Sequence, residues 1–147
     1  MQLRQENPLC TLLVGEFSSD KSGLRTLFGN LGWRLLESKS RLEALKCIRN
    51  VPVHVVLAES DHPNWNWKRI LEDLRSCEEQ PQLVITSRAA DDHMWSEALN
   101  WGAYDVLLQE PLNYSEVERV IAAAKRQFDY SSKRPASSVC RVAARAS

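Results

Sequence analysis

The chain has 147 residues, enough for one domain with a real core. Apolar residues make up 44% and charged residues 26%, and 19 basic side chains balance 19 acidic ones, an ordinary globular composition. The zero net charge gives no support to a nucleic-acid or membrane surface as the main partner, and no apolar run approaches the ~20 residues that cross a bilayer.

The opening MQLRQENP lacks the layout of a signal peptide, so a cytoplasmic protein is expected. Cys10, Cys47, Cys77 and Cys140 are far apart and form no CxxC pair, which fits idle thiols in a reducing compartment better than zinc or disulfides. TLLV (11–14) reads as a buried strand stopping at Gly15-Glu16. In 18–32, Leu24, Leu27, Phe28 and Leu31 fall at helical spacing, with Ser18 or Ser19 as cap and Gly32 as terminator. WRLL (33–36) is a second strand. The helix at 41–49 places Leu42, Leu45 and Ile48 on one face.

VHVVLA (53–58) is the third strand, and 67–75 a third helix. QLVIT (82–86) and 104–108 are the fourth and fifth strands, separated by a helix at 91–101 with acids at its start. A long helix at 115–128 has a serine cap, early glutamates and late Lys125 and Arg126. Strand and helix thus alternate five times, and the strands are apolar on both faces. This predicts an α/β fold, a flavodoxin-like (βα)5 doubly wound parallel sheet, over 10–130. Residues 131–147 hold four basic side chains and no acid, and read as a disordered Ser/Ala/Arg-rich tail.

In an open parallel sheet, sites form beyond the carboxyl ends of the strands. Those ends are Gly15-Glu16, Glu59 with Asp61 two residues on, Thr86-Ser87, and Gln109-Glu110-Pro111. Carboxylates, a hydroxyl and an amide from four separate stretches would meet in one crevice. No G-x-G-x-x-G or Walker A run is present, Ser87 has no elbow motif, and His54, His62 and His93 have no metal-ligand spacing.

The segments LLVGEFSS (12–19), LGW (31–33), VLAESDHP (56–63), VITS (84–87), ALNWGAYD (98–105) and VLLQEP (106–111) resemble the receiver domain of two-component response regulators, from about Thr11 to Phe128. The resemblance implies strand order 2-1-3-4-5 and a phosphoacceptor position at Glu59. It implies an acidic pocket from Glu16 and Asp61, and switch positions at Thr86, Val106 and Gln109. It also shows departures. Receivers carry two acids after strand one to hold Mg²⁺; this chain has Gly15 and then Glu16. Glu59 stands for the acceptor aspartate, Gln109 for the lysine, and Val106 for the aromatic switch, with Glu110 inserted before Pro111.

Glutamate moves the carboxylate outward by about 1.5 Å, one C–C bond, and errors of ~1 Å can cost about 10²-fold in rate. Losing an oxygen from the metal site and the fixed cation weakens it further. The expectation is therefore a pseudo-receiver, not an enzyme, independent of aspartyl phosphorylation and without cofactor. Any Mg²⁺ would fall to Glu16, Glu59 and Asp61. Glu59 would imitate a phosphorylated aspartate, with less charge than the about −1.5 to −2 of a phosphate.

Output is expected through protein contact, because the stretch after Phe128 has no room for a DNA-binding domain. The partner would be a histidine kinase, another signalling protein or a second copy. It would dock on the helix 4–strand 5–helix 5 face, with Trp101 and Tyr104 as candidate contacts. Trp101 could instead be buried under Tyr104. Trp95, sharing a face with Ala98 and Leu99, is expected in the core, and Trp33 packed. Trp67 either covers the site or packs beside Trp65's loop. Two other readings stay open: a receiver that accepts phosphate through Glu59 or Asp61, and an unrelated flavodoxin-like ligand-binding protein or enzyme.

Overall fold

Short strands that are apolar on both faces need cover on both sides. The computed structural model describes residues 8–17, 20–60, 66–88, 91–109 and 112–132, and it supplies that cover with helices on either side of one sheet. In chain order the elements are β1 (Cys10–Val14), α1 (Lys21–Leu31), β2 (Arg34–Ser38), α2 (Arg41–Asn50), β3 (Val55–Glu59), α3 (Trp67–Arg75), β4 (Gln82–Ser87), α4 (Asp92–Trp101), β5 (Asp105–Leu108) and α5 (Tyr114–Ser132). All neighbouring strands pair in parallel, in the order β2-β1-β3-β4-β5. This is the doubly wound arrangement the sequence predicts.

The two-residue period of a strand sorts the core into two layers. Leu12 and Val14 of β1 pack with Ile70, Leu71 and Leu74 of α3 and Ala98 of α4. Leu13, between them, packs on the other side with Leu24 and Phe28 of α1 and Val117, Val120 and Ile121 of α5. Each fully buried Leu, Ile or Phe side chain contributes about 1.5–3 kcal/mol. Trp33 adds an edge-to-face contact on Phe28 at 5.4 Å, the packed position expected for it.

Helix ends follow local chemistry. The Ser40 side chain accepts from the Glu43 N–H, Asn66 from Lys68 and Asp91 from Met94. Gly32 and Gly102 close α1 and α4 in left-handed conformations (φ 73° and 110°). Other ends differ from expectation. The residue before α1 is Asp20, while Ser18 and Ser19 lie outside the described residues. The start of α5 is capped by Asn113, whose Oδ1 accepts from Glu116 N–H at 3.1 Å, so Ser115 falls inside the first turn. Residues 131 and 132 complete α5, and the rest of the expected tail, 133–147, lies outside the described residues.

Two predicted core positions are corrected. Leu42 is 70% exposed and Trp95 48% exposed. On α2 the core position is Ala44, with Cys47 and Ile48 beside it; on α4 it is Ala98, flanked by Met94 and Trp101. Trp101 is correspondingly half-buried. Its ring meets Trp67 edge-on at 6.2 Å, and Lys68, itself bonded to Glu97 at 2.6 Å, lies 5.1 Å over it. Trp67 is buried in the same layer, so it packs there. Tyr104 packs against the opposite layer, beside α1 and α5, so it does not cover Trp101. The two expected partner contacts therefore lie on opposite sides of the sheet.

Candidate functional site

The parallel register brings the strand ends together. Glu59 pairs with Thr86 across β3–β4, and Ser87 with Leu108 across β4–β5. The Ser60 N–H donates to the Thr86 carbonyl at 2.8 Å, and the Gln109 N–H to the Ser87 carbonyl at 2.9 Å. Glu59, Thr86, Ser87 and Gln109 are all buried at this carboxyl edge, where the sequence places the crevice.

Buried polar groups need partners, and these form one chain of hydrogen bonds. The Thr86 hydroxyl donates to Gln109 Oε1 at 3.0 Å. Gln109 Nε2 in turn donates to Glu59 Oε2 at 2.7 Å. The hydroxyl thus fixes the amide with its NH₂ toward the carboxylate. On the far side, the backbone N–H of Glu16 donates to Glu59 Oε1 at 2.9 Å and that of Phe17 to Oε2 at 3.1 Å. Among the described residues, three N–H donors thus hold one carboxylate.

The loop after β1 is shaped for this. Gly15 has φ 143° and Phe17 φ 47°, and the Gly15 N–H is tied to the Ser38 carbonyl of β2 at 3.2 Å. A left-handed phenylalanine costs roughly 1–3 kcal/mol; here the ring is fully buried among Leu24, Phe28 and Leu57, which over-determines the backbone. Consecutive N–H groups in such a turn make an anion-binding concavity. Gly15 also makes room. A Cβ there would lie 2.8 Å from Glu59 Cγ and 2.9 Å from Cδ. The longer acid at 59 and the missing side chain at 15 are one packing solution.

Glu16, expected to line the pocket with its carboxylate, is exposed, and its backbone N–H faces Glu59. Asp61, Glu110 and Pro111 lie outside the described residues. Val106 is buried in the layer under α4. Asp20, not anticipated as a site residue, is buried at the start of α1; Tyr114 Oη donates to its Oδ1 at 3.2 Å, while Oδ2 has no hydrogen-bond partner among the described residues. Burial, then the Asp20 charge, raises the Tyr114 phenol above its ordinary pKa. Gly23 admits this contact, since a Cβ there would sit 2.6 Å from Tyr114 Cζ.

No protein-family model and no curated protein sequence matches the chain. Solved structures of the same fold do. The signal receiver domain of an HD domain-containing protein from Pseudomonas fluorescens Pf-5 superposes with a TM-score of 0.77 at 17% identity, over 92% of this chain and 100% of that one. The beryllofluoride-activated NtrC4 receiver domain dimer gives 0.73 at 18% identity, over 81% and 98%. The receiver domain of Ssk1, solved with the histidine phosphotransfer protein Ypd1 of Saccharomyces cerevisiae, gives 0.67 at 15%, over 78% and 86%.

The fold is that of a response-regulator receiver domain.

A receiver fold implies Mg²⁺ at this edge, and the described residues do not fit it. Gly15 offers no side-chain oxygen. The Glu16 and Phe17 backbone presents N–H groups, which repel a cation, and both Glu59 oxygens already accept from N–H donors. Among the described residues no three His, Cys, Asp or Glu side chains converge as a metal cluster. Nor, among them, is any helix long and apolar enough to cross a membrane.

Proposed function

We propose that this chain is a non-enzymatic, cytoplasmic signalling module of receiver fold that acts by binding a protein partner and works without aspartyl phosphorylation. The observation that carries the reading is the Glu59 carboxylate, buried and held by Glu16 N–H, Phe17 N–H and the Gln109 amide. Phosphoryl transfer needs a free in-line oxygen, a metal and a cation at the developing charge. Here the acceptor-position oxygens are hydrogen-bonded inward, a neutral amide stands at 109, and Gly15 leaves the metal environment an oxygen short. A carboxylate permanently in that place biases the domain toward a single conformation.

Incubation of the purified protein with Mg²⁺ and acetyl phosphate, read by intact mass, tests the reading. An unchanged mass is expected. A gain of one phosphoryl group would overturn it in favour of a phosphate-accepting receiver, with Glu59 and Asp61 the positions to map.

For the partner, the exposed apolar side chains near α4 and β5 favour a revised contact set. Leu108 is 53% exposed and points to the same side of the sheet as Val106, the side that α4 covers, and Trp95 is 48% exposed on α4 itself. Both belong to the helix 4–strand 5–helix 5 face. Trp101 is engaged with Trp67 and Lys68 instead. Sedimentation of wild type beside Trp95→Ala and Leu108→Ser is the check. A wild-type dimer that both variants dissociate is the expected result for self-association through this face; a dimer indifferent to both would move the contact elsewhere.

A further inference from the structure

The acid edge of this fold has the wrong polarity for a metal and the right polarity for an anion. Among the described residues, Oε1 of Glu59 accepts from the Glu16 N–H at 2.9 Å, and Oε2 accepts from the Phe17 N–H at 3.1 Å and the Gln109 amide at 2.7 Å. Two of these donors are backbone groups fixed by the Gly15 and Phe17 turn, and the third is fixed by Thr86. They do not depend on Glu59 for their direction. We infer that the crevice is a carboxylate-binding cradle, and that Glu59 is its tethered ligand rather than a metal ligand or nucleophile. The inference rests on the reading of Glu59 as docked in its cradle, and deepens it by naming the ligand class: a small monocarboxylate with two planar oxygens.

Three features select that class. The donors divide between two oxygens, so a planar bidentate acceptor satisfies all three, whereas a spherical halide would satisfy fewer. The site is buried, so an anion there exchanges water for fixed N–H dipoles, which are stronger in a low-dielectric setting. The three atoms nearest to a Cβ placed at Gly15 all belong to the Glu59 side chain, so removing that side chain opens room for a two-carbon acid.

The test is rescue in trans. Thermal unfolding of Glu59→Ala is compared in sodium acetate, sodium chloride and magnesium chloride at matched ionic strength, with wild type in the same solutions. The variant is expected to melt below wild type in chloride. Acetate at tenfold its dissociation constant should raise its midpoint by about 5 °C, with no matching rise in wild type, whose cradle is already filled. Adding Gln109→Leu should remove most of that response, because one of three donors and the order imposed by Thr86 are lost.

No acetate-specific rise, or a rise in Mg²⁺ instead, would overturn the cradle. Should Glu59→Ala be unfolded in chloride, a native circular dichroism spectrum regained in acetate alone supports it, and no recovery overturns it. Glu59→Gln, which keeps the shape, gives an independent reading. The amide protons of Glu16 and Phe17 should move upfield from their wild-type positions, and unmoved resonances would contradict the cradle. Phosphoryl gain mapped to Asp61 would sink phosphorylation independence while leaving an acetate-responsive cradle standing; gain mapped to Glu59 would sink both, and a missing acetate response without phosphoryl gain would sink the cradle alone.

Discussion

At position 59 the extra methylene of glutamate is decided by its neighbour at 15. Glu59 reaches the N–H groups of Glu16 and Phe17 only because no Cβ stands at Gly15. Gly15→Ala would have to expel the carboxylate and hold a φ of 143° that a side chain resists. A loss of about 2–4 kcal/mol is expected, from backbone strain and charge-assisted hydrogen bonds together. In a Glu59→Ala background the same change should cost less by about 1 kcal/mol or more. Urea denaturation of the four proteins of that cycle measures the coupling, and strictly additive losses would contradict the interlock. The sequence shows Gly15 only as a missing oxygen. Its role as space depends on where Glu59 turns, which no spacing rule encodes. Phe17 carries still less signal, since left-handed non-glycine residues are rare and phenylalanine is not among those enriched there.

At the scale of elements, strand interiors and helix periods were legible, while some helix faces and ends were not. Ten elements follow in the expected order because apolar runs and 3.6-residue spacing are set by the core itself. The face of α4 was misread because Trp95 and Trp101 stand three residues on either side of Ala98, and either could flank it. Trp67 of α3 supplies the partner ring for Trp101, so that side is the one buried. His54, just before β3, shows a link between elements that periodicity hides. Its Nδ1 accepts the Cys10 N–H of β1 at 3.0 Å, and its ring meets Phe128 of α5 edge-on at 5.0 Å.

Burial first, and the Lys125 charge next, lower the His54 pKa, opposed by Asp129 and Glu79. The folded state therefore favours the neutral ring. Its stabilising effect is complete above the unfolded value of about 6.5 and is lost as pH falls below it, down through the lowered folded pKa. Protonated Nδ1 would also face the Cys10 N–H as a second donor. Thermal midpoints from pH 7.5 to 5 should fall for wild type and fall less for His54→Asn, whose Oδ1 can still accept. Equal falls would remove His54 from the account.

For the whole molecule, topology was the most legible property and output the least. Five βα repeats with right-handed crossovers leave few arrangements open, and the order β2-β1-β3-β4-β5 is one of them. Partner choice lies on surfaces that the core does not constrain, so sequence periodicity does not single out the exposed Trp95 and Leu108. What the fold does constrain is the crevice, where three N–H donors converge on the Glu59 carboxylate. The most direct measurement of that claim is a ¹H–¹⁵N spectrum of the wild type titrated with Mg²⁺ and beryllofluoride. The account predicts that Glu16, Phe17, Thr86 and Gln109 do not move; saturable shifts at those residues would show an open, metal-competent site and contradict it.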